Sequence, residues 1–197
     1  MRRLTAATLA LALAAGALAG CHRRTAPATL TGAVTADDAF YAYLSTSPSE
    51  RGTLIASGDR AGPPVAITPT VLIPGQSYFL HVVAIDIGGR GGFLGEFRLN
   101  GAGYRFADGS KRLLTGLPGW SAGYGGRAPS IAPPAWSSPG GGVFPEGANG
   151  AAPWGPVKGI APAAQWIWPA DIQSAPSGPP TACTRCAADF SAVITPG

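Results

Sequence analysis

The chain has 197 residues, with 14 basic side chains against 10 acidic ones and a formal charge of +4. Gly (29) and Pro (20) approach the level of low-complexity chains, but only 12% of residues are charged and mean hydropathy is +0.17. That is the reverse of a disordered balance and predicts a folded domain with Gly/Pro-rich loops. No basic patch with interleaved aromatics is present, so nucleic acid is not an expected partner.

Arg2 and Arg3 open the chain, and Leu4 to Leu18 form an apolar run. This run is too short for a permanent span, which needs about 20 residues. Small residues follow, ending in Leu18-Ala19-Gly20-Cys21. The order reads as a secretory signal peptide over 1–20, and LAGC resembles the lipobox of bacterial lipoproteins. The resemblance implies that Cys21 becomes the first mature residue and carries a diacylglycerol and an N-acyl chain. Several acyl chains anchor stably where one does not. The alternative is a plain secreted protein with a chance cysteine after the cleavage point. His22 stands where an enteric inner-membrane retention signal would place Asp, which points to the outer membrane where that rule applies. Without the signal about 177 residues remain, enough for one domain with a core. The net charge falls to +2, matching Arg23 and Arg24 beside the lipid, where anionic headgroups would meet them.

Residues 21–31 read as lipidated cysteine plus a polar, proline-broken tether, and 32–197 as the domain. Asp37-Asp38 is a turn signal. Ala39 to Ser45 is the first expected strand, with Phe40, Ala42 and Leu44 on one face and Tyr41 and Tyr43 on the other. Thr53 to Ser57 is a second. An extended segment over 65–73 leads to Pro74-Gly75, a type II turn signal. Tyr78 to Ile87 is apolar on both faces and β-branched, which predicts a central, doubly covered strand. In Phe93 to Leu99, Phe93, Phe97 and Leu99 are expected inward, Leu94, Glu96 and Arg98 outward. Asn100-Gly101 is a hairpin signal, and Tyr104 to Phe106 with Arg112 to Thr115 would flank a turn at Asp108-Gly109. Regularity fades over 116–162. Trp166-Ile167-Trp168 restores alternation, placing Trp166 and Trp168 on one face, and Asp189 to Ile194 looks like a closing strand. No capped 3.6-residue period occurs. The prediction is all-β: an antiparallel, jelly-roll-like β-sandwich with long Gly/Pro-rich loops.

The segments TADDAFYAYLS, the strand ending in Ile85-Asp86 and PWG…APAAQWIW resemble galactose-binding-like jelly-roll domains of bacterial surface proteins and glycosidase accessory modules. That resemblance implies an architecture over 32–197, hosting sugar binders, protein binders and spacers.

Neither an H-E-x-x-H nor a P-loop motif occurs. His22 is beside the anchor and His81 lies mid-strand, where a core histidine is the plainer reading. Asp86, Glu96, Asp108 and Glu146 have no spacing that brings them together, so no enzyme is expected. Cys183 and Cys186 form a single CxxC after Pro179-Pro180, lacking the second pair of a zinc site and the βαβ setting of a redox site. A local disulfide is the expectation for an exported chain. Trp120, Tyr124, Trp136 and Trp154 sit among glycines and prolines and are the ligand-binding candidates, since aromatic faces stack on sugar rings. The competing reading is that these rings plug the sandwich under its loops. Asp37 and Asp38 are calcium candidates, though a turn explains them equally. The functional expectation is a membrane-anchored lipoprotein presenting a non-catalytic binding module for glycans. The alternative is a structural or assembly component of the cell envelope that binds another protein.

Overall fold

The computed structural model describes residues 27–59, 62–172 and 185–197. Among them every regular element is a strand, and no helix is long and apolar enough to cross a membrane. The signal segment, Cys21 and Cys183 lie outside the described residues.

Two antiparallel sheets pack face to face. The first contains β1 (Thr29–Asp37), β4 (Val65–Ala66), β5 (Thr70–Val71), β7 (Gly92–Asn100), β9 (Arg112–Leu114), β11 (Val143–Ala148) and β12 (Gln165–Pro169). Its order is β11-β12-β7-β1-β4, with β5 also on β1 and β9 also on β7. The second contains β2 (Ala39–Ser45), β3 (Thr53–Gly58), β6 (Tyr78–Asp86), β8 (Tyr104–Phe106), β10 (Trp120–Arg127) and β13 (Cys186–Pro196). Here the order is β10-β13-β6-β2-β3, with β8 also on β13. The architecture is the expected all-β sandwich, and its connectivity is compatible with a jelly roll.

Alternation decides which residues fill the space between the sheets. Phe40, Ala42 and Leu44 of β2 point in, as do Phe93, Phe97 and Leu99 of β7. β6 sits between β2 and β13 with Leu80, Val82 and Ala84 inward. Its other face, His81, Val83 and Ile85, is equally buried. The doubly covered strand read from its apolar run is therefore present, and its outer cover is a loop.

That cover is a general device in this fold. The proline-rich stretch 128–142 lies over the outer face of the second sheet, where Trp136, Ile131 and Ala128 pack on Tyr41, Tyr43, Val83 and Ile85. Residues 149–164 lie over the first sheet, where Trp154, Val157 and Ile160 pack on Leu94, Leu114 and Trp166. Each sheet thus buries apolar side chains on both faces, although the loops lack periodicity.

Several elements differ from expectation. β1 has no counterpart among the expected strands; it begins at Thr29, inside the 21–31 tether read from the sequence, runs to Asp37 and pairs along its whole length with β7. Its inward positions are Leu30, Gly32, Val34 and Ala36, and a Cβ on Gly32 would come 2.5 Å from the Glu96 carbonyl and 3.2 Å from Phe97. The glycine that weakens the strand signal is demanded by this close approach. β8 and β9 do not form a hairpin: β8 joins β13 in one sheet and β9 joins β7 in the other. Asn100-Gly101, with Gly101 at φ 87°, is correspondingly a crossing between sheets. Trp166 and Trp168 do not share an environment. Trp166 packs outward on Trp154, whereas Trp168 reaches Phe190 between the sheets. β12 meets β7 at the pair Ile167↔Phe93. The closing strand expected over Asp189 to Ile194 is present as β13, which begins earlier, at Cys186, and lies between β10 and β6.

Candidate functional site

The four candidate aromatics do not converge. Trp120 lies on β10 with its ring in the inter-sheet core against Phe93 and Phe97. Its indole N–H donates to the Leu114 carbonyl at 3.1 Å. Alternation along β10 buries a ring that the surrounding glycines had marked as a loop residue. Tyr124, on the same edge strand, is half exposed. Trp136 stacks on His81 with ring centroids 4.1 Å apart and donates to the Pro48 carbonyl at 3.0 Å. Of the four, Trp154 lines a cleft.

This cleft, of about 670 Å³, lies on the outer side of the first sheet where β1 ends. Asp37, Pro63, Pro64, Pro153, Pro156 and Lys158 line it with Trp154 and Trp166. β1 delivers Asp37 as its last residue, and the 149–164 cover delivers Trp154. The indole N–H of Trp154 donates to Asp37 Oδ2 at 2.8 Å. Its ring stacks on Trp166 at 4.4 Å and 19°, and the Arg90 guanidinium lies 5.5 Å from its centroid. Gly92, opposite Asp37 in the register, leaves room for the stack; a Cβ there would meet Trp154 at 2.8 Å and Trp166 at 2.9 Å. Arg90 is fixed in turn by Glu146, with a 2.7 Å ion pair and a 3.1 Å bond to its carbonyl.

Asn149 holds the cover together. Its amide nitrogen fans across the carbonyls of Val157, Ile160 and Ala161 at 3.1, 3.0 and 3.3 Å, and its oxygen accepts from Val157 N at 2.8 Å. The Asn149-Gly150 dipeptide was the available signal for this turn. Glu96 pins the same cover by accepting from Ala161 N at 3.0 Å. Burial pushes the Glu96 carboxyl up, but the hydrogen bond from Arg112, that from Ala161 and the charges of Arg112 and Arg98 leave it below its ordinary value.

Three carboxylates gather at the end of the sandwich where β1 passes to β2. Burial raises Asp37; the Trp154 bond opposes this and the charge of Asp38 adds to it. Asp38 Oδ2 accepts from Ile87 N at 2.8 Å. Asp86, at the end of β6, is raised to about 6, first by burial and then by the charges of Asp38 and Asp37, against a 2.7 Å bond from Gly88 N. Among the described residues no group of three or more His, Cys, Asp or Glu side chains is placed to hold a metal ion. Asp37 and Asp38 accept hydrogen bonds there from Trp154 and Ile87.

Other titratable groups among the described residues are engaged in the fold. His81 is fully buried under Trp136, and burial lowers its pKa, with the carbonyls of Arg51 and Glu50 opposing. Asp189, on β13, is raised by burial and accepts from Ser137 N at 2.9 Å and Ser137 Oγ at 2.8 Å, which fastens the 128–142 cover. Asp108 accepts from Ser110 N in its turn. Cys186 is buried at the start of β13, and the Cys183 half of the expected disulfide lies outside the described residues.

No family model, curated protein or solved structure matches this chain.

Proposed function

We propose that this is an exported lipoprotein held in the cell envelope by acyl chains on Cys21, whose sandwich is a non-catalytic binding module for glycans. The observation that carries the ligand reading is the cleft beside Trp154. Its prolines and indole edge offer an apolar wall to the C–H face of a sugar ring. Asp37 supplies an acceptor and Lys158 a donor, the mix of apolar surface with a few polar groups typical of ligand sites. Trp154 contributes an edge, because Trp166 and Arg90 occupy positions over its ring. A proline-lined wall also suits an extended peptide, which favours the second reading, an envelope component that binds another protein.

Metabolic labelling with a fatty acid, abolished by Cys21→Ser, tests the anchor. A glycan array probed with the whole protein tests the ligand. Asp37→Asn and Lys158→Ala should each weaken a retained glycan about tenfold, as loss of a hydrogen bond to a charged group does. Retention of no glycan, with a protein partner co-purifying through the same cleft residues, would replace the first reading by the second. Turnover on a glycosidase or esterase panel would overturn both.

A further inference from the structure

We infer that the turn running from Val71 to Gln76 seats against the lipid surface that holds Cys21, so that the Asp37–Trp154 end of the sandwich is directed away from the bilayer. This rests on the lipidation reading and adds to it a face and an orientation.

Ile73 and Val71 are the most exposed large apolar side chains among the described residues, at 67% and 59%. They flank the place where the chain enters the fold. Val71 is in register with Thr29, the first residue of β1, and Leu72 N donates to the Ala28 carbonyl at 2.9 Å. The steps from Cys21 to Pro27 reach at most about 20 Å even when fully extended, so an anchored Cys21 keeps this end close to the membrane. β1, nine residues long, then carries the chain about 30 Å to the opposite end.

The turn is built to hold its apolar residues out. Gly75 takes φ 82° and Gln76 N donates to the Ile73 carbonyl at 3.2 Å, closing the turn read from Pro74-Gly75. Ile73 N donates to the Tyr78 hydroxyl at 2.9 Å. The Tyr104 hydroxyl donates toward the carbonyls of Ile73 and Gln76. Both tyrosines and the intervening Leu72 are buried, so Leu72 fills the core position while Val71 and Ile73 project. A flexible loop would fold such side chains back; two hydroxyl braces prevent it.

Charge is arranged to match. Arg51, Arg105 and Lys111 lie at this end with Glu50 and Asp108, whereas at the other Asp37, Asp38, Asp59 and Asp86 stand beside Arg90, Arg127, Lys158 and Arg185. With Arg23 and Arg24 beside the anchor, the basic side chains of the near end suit anionic headgroups.

The test uses the full lipidated chain reconstituted into vesicles of phosphatidylcholine and phosphatidylglycerol. These contain a phospholipid with a diazirine near the top of its acyl chain. After photolysis, fragmentation mass spectra should place the label on Val71 to Pro74. The double variant Val71→Ser, Ile73→Ser should lose that label while still floating with the vesicles, because Cys21 holds it there. Ile87→Ser, an exposed apolar change at the far end, should leave the labelling unchanged. Protein that floats but carries label evenly, or on the far end, overturns the orientation and leaves the lipidation reading intact. Protein that does not float overturns the lipidation reading and this inference with it. Unchanged circular dichroism of the double variant separates loss of contact from loss of fold.

Discussion

Asp86 offers a quantitative test of the far end. Its carboxyl is raised from an ordinary 3.8 to about 6, because burial and the neighbouring Asp38 and Asp37 disfavour its anion. The fold therefore prefers the neutral acid. The stability this group contributes is fully present below about pH 4 and is lost as pH rises through about 6. At about 1.4 kcal/mol for each pH decade, the displacement sets a ceiling of about 3 kcal/mol. Solvent reaching a carboxylate at the end of a sandwich screens part of that, leaving roughly 1.5 kcal/mol. Asp86→Asn keeps an oxygen for the Gly88 N–H and removes the charge. The variant should match the wild type near pH 3.5 and be more stable by roughly 1.5 kcal/mol near pH 7. Urea unfolding followed by tryptophan fluorescence across that range reads the difference. Taking the difference matters. His81, lowered by burial, loses stability as pH falls below about 6.5, and Glu96, held low by its arginines, loses it as pH falls through its own lowered range. Both trends run opposite to that of Asp86, and both are shared by the two proteins. A difference that is flat with pH, or a variant less stable near pH 7, would refute the reasoning.

Two further changes probe the fold. Trp120→Ala empties a position between Phe93 and Phe97 and leaves the Leu114 carbonyl without its indole donor; thermal or urea unfolding should show a loss of about 3–5 kcal/mol. Any effect on ligand binding should vanish once the folded fraction is matched. Gly32→Ala drives a methyl to 2.5 Å from the Glu96 carbonyl, and urea unfolding should show a loss of about 1–3 kcal/mol as β1 and β7 are forced apart.

Period-2 alternation in bulky residues was legible. The two faces of β2, the double cover of β6 and the inward set of β7 follow from Phe, Leu, Val and Ile placed at every second position. Less legible are strands whose small residues are required by close packing. β1 hides behind Gly32 and its alanines, β10 behind Gly123, Gly125 and Gly126, and the first residues of β13 behind Ala187 and Ala188. A Cβ on Gly125 would lie 3.0 Å from the Asp189 carboxylate, so that glycine too is a packing residue. The candidate site was legible only in part. Trp154 and Asp37 were each singled out, but for separate roles. Their 2.8 Å bond spans 117 residues and depends on where an aperiodic cover lies, which local pattern does not encode.

The two covers also limit where this sandwich can meet a ligand. An uncovered sheet face offers a broad platform, but here 128–142 and 149–164 occupy the outer faces and are fastened by buried side chains, Asp189 on one sheet and Glu96 on the other. Displacing either cover would expose apolar rows and leave those carboxylates without their amide partners, a cost of about 1–3 kcal/mol for each group. What stays open is the ends of the sandwich and the gap where a cover meets its sheet. The Trp154 cleft is such a gap, and it opens beside the last residue of β1, at the end away from Thr29. Under the proposed lipidation of Cys21, a tether entering at the first residue of that strand would put anchor and cleft at opposite ends of it. That separation is the geometry a tethered binding module requires, and it would serve a glycan or a protein partner equally, which is why the ligand has to be decided by the cleft variants and the orientation by the labelled lipid.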